Sequence, residues 1–215
     1  MKLLCPIYLL LILLYSCDEA GRVEKEVKER TNFLHDIVPF TSDSLIKVVI
    51  EIPAGTNQKW EVNKTSGQIE WEQVSRDSFR VVNYLPYPSN YGFVPQTLLA
   101  EATGGDGDLV DVFVLGAAVG RGAVLKVRMV GLIHMLDNGE SDSKLLAVNS
   151  EDSYFGVSSL EMLNLSYPGV IDILKLWLMH YKGPGEVDIL SVGDEVDAIH
   201  YFNTAHETYL QQKIK

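Results

Sequence analysis

The sequence predicts an α+β domain, a small barrel flanked by helices. Three observations lead there. Runs of β-branched and alternating residues crowd the first half of the chain after residue 45. Helical periodicity is confined to the second half. Residues 46–215 supply about 170 positions, one ordinary domain with room for a core, and no internal repeat or low-complexity linker interrupts them.

Residues 1–16 fall outside that domain. Lys2 gives a positive start, and Ile7 to Leu14 gives an apolar run of signal-peptide length, too short to span a bilayer. The run ends Leu14-Tyr15-Ser16-Cys17, which resembles the lipobox of bacterial lipoproteins. That resemblance implies cleavage before Cys17, acylation of its thiol and new amine, and a place in the bacterial cell envelope, lipid-anchored to a membrane outside the cytoplasm. An ordinary secretory signal with an incidental cysteine is the alternative. Cys5 and Cys17 are the only cysteines, so a cleaved chain has no disulfide and depends on packing alone. Residues 17–45, which include R-V-E-K-E-V-K-E-R, read as a polar tether with room for a short helix at Val23–Arg30.

Lys and Arg number 18 against 29 Asp and Glu, a formal charge of −11 that becomes −12 when Lys2 is removed with the leader. So acidic a body disfavours nucleic acid and anionic lipid as nonspecific partners.

The elements follow in order. Ile46–Ile52, I-K-V-V-I-E-I, is a β-branched strand stopped by Pro53. Lys59–Asn63 and Gln68–Gln73 flank Lys64-Thr65-Ser66-Gly67 as a hairpin. Val110–Leu115, Ala123–Leu136 and Leu145–Val148 are further strands, with a turn at Asp137-Asn138-Gly139. Tyr87 to Phe93 places two tyrosines around a turn. Gly169–Lys182 has a wide apolar face of Val170, Ile171, Ile173, Leu174, Trp177 and Leu178, and predicts a helix closed by Gly183. Asp194 predicts the N-cap of a last helix with Ile199, Phe202, Ala205 and Tyr209 on one side.

The chemistry concentrates between Gly104 and Val112, G-G-D-G-D-L-V-D-V, where Asp106, Asp108 and Asp111 fall within six positions. Carboxylates this close repel unless a cation sits among them, and a hard divalent ion with oxygen ligands is the simplest choice. An EF-hand loop starting at Asp106 would need Gly and Glu where Asp111 and Ala117 stand, so that form of calcium loop fails, though another calcium site stays open. Taken singly, the other polar candidates have ordinary explanations. Lys59 and Glu61 share one face of a strand, Arg80 suits a solvated surface, Asp137 and Asp142 suit turns, and Tyr181-Lys182 suits a helix end. Together with Glu51, Tyr87, Tyr91 and Lys144 they are carboxylates for metals, cations for phosphate oxygens and hydroxyls to bond them, all at strand ends, turns and helix ends.

The ordered series E-I-P-A-G, K-W-E, R, Y-P-S-N-Y-G-F-V-P-Q-T, D-G-D-L-V-D-V, D-N-G-E-S-D-S-K and H-Y-K, from Val48 to Lys182, resembles the soluble inorganic pyrophosphatases of family I. The resemblance implies an OB-like five-stranded β-barrel flanked by helices, and hydrolysis of pyrophosphate to two phosphates. It also implies several Mg2+ ions per site, with Mn2+ as a substitute, and a homohexamer. By that resemblance Asp106, Asp111, Asp137, Asp142 and Glu51 hold metal. Asp108 is the base for the attacking water. Lys59, Arg80, Tyr91, Lys144, Tyr181 and Lys182 contact the phosphates, with Glu61 and Tyr87 in support.

This chain departs from the family pattern in places. Leu109 stands where proline is usual, Thr103-Gly104-Gly105 adds residues, and G-P-G-E-V-D follows Lys182. The Arg80–Tyr87 spacing is one residue short, which makes Arg76 the alternate arginine. A silent lipoprotein using the fold as a binding module, and a phosphatase for another phosphorylated substrate, share the same residues.

Overall fold

The computed structural model describes residues 30–41, 45–100, 105, 107–152 and 156–213. The leader, Cys17, most of the tether and Asp106 lie outside the described residues. Strand β1 (Ile46–Ile52) is followed by β2 (Trp60–Val62), β3 (Ile69–Trp71), β4 (Gln73–Ser75), β5 (Ser78–Phe79), β6 (Asn90–Val94), β7 (Val110–Leu115), β8 (Val124–Asp137), β9 (Glu140–Ser141) and β10 (Lys144–Asn149). Helices α1 (Leu160–Ser166) and α2 (Val170–His180), strand β11 (Val187–Gly193) and helix α3 (Glu195–Lys213) complete the order.

Five strands close a ring. β1 pairs antiparallel with β6 and β8, β6 with β7, and β8 with β10. β7 and β10 pair in parallel, Val112 opposite Leu145. The barrel leaves none of these strands with an open edge. β8, at 14 residues, is long enough to pair with β1 and β10 and then carry β11 and β9 beyond them. This is the α+β, OB-like five-stranded barrel that the sequence predicts.

Strand alternation sorts the side chains. Val110, Val112 and Val114 of β7 pack with Val48, Ile50, Leu145 and Ala147, and Ala198, Phe202 and Ala205 of α3 cover them. Phe113 and Leu115 pack on the opposite face with Leu146, Val148, Leu174, Trp177 and Leu178, under α1 and α2. Asp111 and Lys144 keep step with this second set, so alternation alone delivers them to the α2 side of the sheet.

Some elements differ from expectation. Asn90–Val94 is a fully buried strand rather than part of a turn, because β1 and β7 both pair with it. Gly92 is required there. A Cβ at Gly92 would overlap the Val49 carbonyl oxygen and come within 2.9 Å of Ile50 Cα. The penultimate helix spans Val170–His180 and not Gly169–Lys182, with left-handed Gly169 as N-cap and Tyr181 as C-cap. Ile173 and Ile199, placed by periodicity on apolar faces, are 57% and 46% exposed, and Ala198 takes the place of Ile199 in the stripe of α3. Asp194 Oδ1 accepts from the backbone N–H groups of Val196 and Asp197, at 2.9 and 3.2 Å, as an N-cap should.

Residues 31–41, within the stretch read as a tether, contribute Leu34 and Ile37 to a small cluster with Val49, Val62, Phe93 and Leu109. Leu109, just before β7, joins that cluster by apolar contact. G-P-G-E-V-D is the turn into β11, with Gly183 and Gly185 at positive φ.

Candidate active site

Two cavities adjoin on the barrel, and the smaller of them is lined in part by Trp177 and Leu178 of α2. One, of about 640 Å³, is lined by Glu51, Glu61, Lys64, Glu70 and Glu72 from the first strands and the hairpin. The other, of about 190 Å³, is lined by Arg80, Tyr87, Asp137, Asp142, Lys144, Tyr181 and Lys182. Lys59, Tyr91, Asp108 and Asp111 line both and form their shared wall. Each described residue of the candidate set thus faces one cavity or both. Arg80 is among them. Arg76 lines neither of these cavities and sits at the exposed β4–β5 turn.

Local structure explains the convergence. Asn90 ties three chain segments together. Its Oδ1 accepts from Ala54 N–H at 3.2 Å and Val119 N–H at 3.1 Å, and its Nδ2 donates to Ala117 O at 2.8 Å. That fixes the end of β1, which carries Glu51, against β6, which carries Tyr91. Helix α2 ends at His180, so Tyr181 and Lys182 leave it pointing into the smaller cavity. Trp177 buttresses them. It stacks on Tyr181 at 4.5 Å and 10°, lies 4.5 Å from the Tyr87 ring, and donates its indole N–H to Leu85 O at 2.9 Å.

The centre is an ion-pair network. Lys144, with a side chain only 4% exposed, donates to Asp111 Oδ2 at 2.5 Å and also bonds Asp142. Tyr91 O–H donates to the same Asp111 oxygen at 2.6 Å. Lys182 pairs with Asp137, Lys64 with Asp108, and Lys59 with Glu61 at 2.8 Å. Arg80 Nη1 donates to Glu72 Oε1 at 2.8 Å.

Burial makes these charges consequential. Glu51, 5% exposed, has its carboxyl pushed up to about 8 by burial and then by the neighbouring Asp111, although Lys59 and the N–H of Val62, at 2.6 Å, oppose the rise. Burial works against the Lys144 ammonium, but Asp111 and Asp142 override it and hold the charge well beyond the ordinary lysine range. Burial raises the Tyr87, Tyr91 and Tyr181 hydroxyls, so all three keep their protons as donors.

Among the described residues no group of three or more His, Cys, Asp or Glu side chains is gathered tightly enough to enclose an ion. The donor chemistry nonetheless suits one. Asp111 and Asp142 already converge on a buried cation, the Lys144 ammonium. Every candidate donor is an oxygen, and Glu51 adds a buried carboxyl to the set. Hard oxygen donors of this kind select Mg2+ or Mn2+ over thiophilic metals.

Sequence reasoning misses three contributors. Glu72, Lys64 and Trp177 meet the site only through pairings that the fold creates. Trp177 alone leaves a signal, as a large aromatic on the helix that ends in Tyr181-Lys182.

Comparison with known proteins points to one family. A family model described as inorganic pyrophosphatase matches residues 48–210. An inorganic pyrophosphatase of Xylella fastidiosa is 37% identical over 139 residues, 64% of this chain and 72% of that protein. One of Mus musculus is 32% identical over 167 residues, 70% of this chain and 57% of that protein. The chain thus spans little more than half the length of that mammalian relative. The crystal structure of a type I inorganic pyrophosphatase from Toxoplasma gondii superposes with a TM-score of 0.81 at 28% identity, covering 86% of this chain and 89% of that one.

Proposed function

This chain belongs to the inorganic pyrophosphatase family, and from that premise we propose that it hydrolyses pyrophosphate to two phosphates with the help of Mg2+. One observation carries the proposal. The thirteen described candidate residues (four cations, six carboxylates and three tyrosines) line two cavities with a common wall.

Asp106, Asp111, Asp137, Asp142 and Glu51 would hold the metal, with Mn2+ as a substitute. When bound there, Mg2+ supplies Lewis-acid polarisation of water and of phosphate oxygens. The protein's own groups do the rest. Lys59, Arg80, Lys144 and Lys182 bind phosphate oxygens, and Tyr181 donates a hydrogen bond to them. Tyr91 contacts phosphate as well and orients Asp111 through its 2.6 Å bond. Asp108, on the wall common to both cavities, accepts the proton of the attacking water. As the phosphoanhydride P–O bond breaks, the same cations meet the charge that grows on the departing phosphate, so positioning and electrostatics supply most of the acceleration. Glu61 and Tyr87 support Lys59 and Tyr91.

Phosphate release from pyrophosphate, measured with Mg2+ and with chelator, tests this directly. Release that requires Mg2+, and none from nucleotides or phosphomonoesters, is expected of the full chain and of the chain without residues 1–17. No release in millimolar Mg2+ overturns the proposal.

The leader supports a second proposal, that Cys17 is lipidated and anchors the protein to a membrane of the bacterial envelope, outside the cytoplasm. Fatty-acid labelling in a bacterial host should be lost in Cys17→Ala, with the protein leaving the membrane fraction. Labelling that survives the substitution overturns it. A homohexamer is the assembly the family resemblance supports, and light scattering tests it.

A further inference from the structure

Three chain segments meet at Lys59, Glu72 and Arg80, and their backbones form a closed cycle. Lys59 N–H donates to Arg80 O at 3.1 Å, Arg80 N–H to Glu72 O at 2.8 Å, and Glu72 N–H to Lys59 O at 3.0 Å. The Trp71 indole N–H adds a 2.8 Å bond to the same Arg80 oxygen. The side chains repeat the triangle. Glu72 Oε1 accepts from Arg80 Nη1 at 2.8 Å, and Glu72 Oε2 lies 3.8 Å from Lys59 Nζ.

One atom in this arrangement is unexpected. Glu72 Oε2 is buried and has no hydrogen-bond partner. Lys59 stands close enough to satisfy it with a small shift, yet its ammonium is bonded to Glu61 at 2.8 Å. A buried carboxylate oxygen left without a hydrogen bond is costly and is seldom kept for stability alone. This one lies between two of the cations proposed to bind phosphate.

We infer that Glu72 is a positioning residue that orients Arg80 toward the phosphate and, through its negative charge, weakens the grip of Arg80 and Lys59 on phosphate so that product leaves. The inference rests on the proposed pyrophosphatase function. Two properties of the side chain do two jobs. Its Oε1 bond fixes the guanidinium and leaves the other N–H donors of Arg80 for an anion. Its charge sits close to a bound phosphate and repels it.

The two jobs separate by substitution. Glu72→Gln keeps the size and the acceptor for Arg80 but removes the charge. Glu72→Ala removes both. The test is calorimetric binding of inorganic phosphate to the full chain in Mg2+, alongside steady-state hydrolysis. Glu72→Gln should bind phosphate up to about tenfold more tightly than the parent, the scale of one like charge removed within several ångströms at a protein surface. Its KM and its kcat should fall together as product release slows. Glu72→Ala should bind phosphate more weakly than Glu72→Gln, because Arg80 is no longer oriented. A purely structural role would weaken binding in both variants. Phosphate binding by Glu72→Gln that equals the parent's or is weaker overturns the inference, and reading that outcome requires only the isosteric variant to fold. Parental hydrolysis, recorded in the same series, separates the outcomes. Its absence would sink the proposed function, whereas a failed shift in Glu72→Gln with active parent sinks only the role of Glu72.

Discussion

The Lys144 ammonium stands 2.5 Å from Asp111 Oδ2 and bonds Asp142 as well, so one buried cation keeps two carboxylates together. Remove it and the two carboxylates lose the buried cation that both of them bond. Lys144→Met should cost about 3–5 kcal/mol in chelator, the range for breaking a buried ion pair at one partner. A divalent ion can replace the lost charge, so Mg2+ should raise the stability of Lys144→Met more than that of the parent. Urea unfolding with and without Mg2+ reads both quantities. An equal Mg2+ effect in the two proteins would show that no cation site adjoins Asp111.

Glu51 should make stability, and the proposed metal binding, depend on pH. Its folded value, about 8, lies above the ordinary 4.5, so the folded state holds the proton more tightly than the unfolded chain. The stability this confers is fully present below pH 4.5 and is lost as pH rises through about 8. In chelator the parent should lose up to about 1.4 kcal/mol per pH unit over that window from this group, and Glu51→Gln should lack that component. Metal needs the carboxylate, so Mg2+ binding at neutral pH should release a proton. Calorimetry in two buffers of different ionisation enthalpy measures it, and Glu51→Gln should release less. A release that is identical in both proteins removes Glu51 from the metal set.

Much of this arrangement is legible in the sequence. β1, β7, β8 and β10 can be read to within a residue or so because each is rich in apolar residues, and β1, β7 and β10 are buried along nearly their whole length. The candidate residues are legible as an ordered series of side chains, which survives uncertainty about the strands between them. What stays hidden has a common cause. β6 opens on Asn90 and carries Gly92, two residue types depleted in strands, and exists because β1 and β7 pair on either side of it. β11 alternates too weakly to announce itself, with Val187 and Gly193 buried and the residues between mostly exposed. Glu72 is one of several acids in the hairpin, and only the meeting with Lys59 and Arg80 gives it a role. Leu34 and Ile37 sit in a stretch whose composition reads as tether, and their partners lie on distant strands.

Trp177 connects helix packing to the smaller cavity. Its indole N–H bonds Leu85 O at 2.9 Å, and its ring lies between Tyr87 and Tyr181. Trp177→Phe should lose about 1 kcal/mol, the usual worth of one hydrogen bond, and keep the stacking. Trp177→Ala should lose about 3–5 kcal/mol as a core truncation and also raise KM, because Tyr181 and Lys182 lose their buttress. Thermal unfolding and hydrolysis kinetics together decide. A large stability loss with an unchanged KM would mean that Tyr181 and Lys182 are held by something other than this ring.

Gly92 sets the spacing between β1 and β6, and with it the distance from Glu51 to Tyr91. The Val49 carbonyl and Ile50 Cα occupy the space where a Cβ would stand, and both are backbone atoms that cannot rotate away. Gly92→Ala must therefore push β6 off β1 at Ile50, next to the bulge between Ile50 and Ile52. The cost should be about 3 kcal/mol or more, at or beyond the upper end for overpacking a buried site. The displaced strand carries Tyr91 and its bond to Asp111, so Mg2+ affinity should fall even under conditions where the variant stays folded. Gly55→Ala, at a turn with open space around it, is the control. It carries only the strain of a positive φ, and should leave metal binding unchanged. Equal Mg2+ affinity in Gly92→Ala and the parent would show that the metal set does not depend on the register of β6.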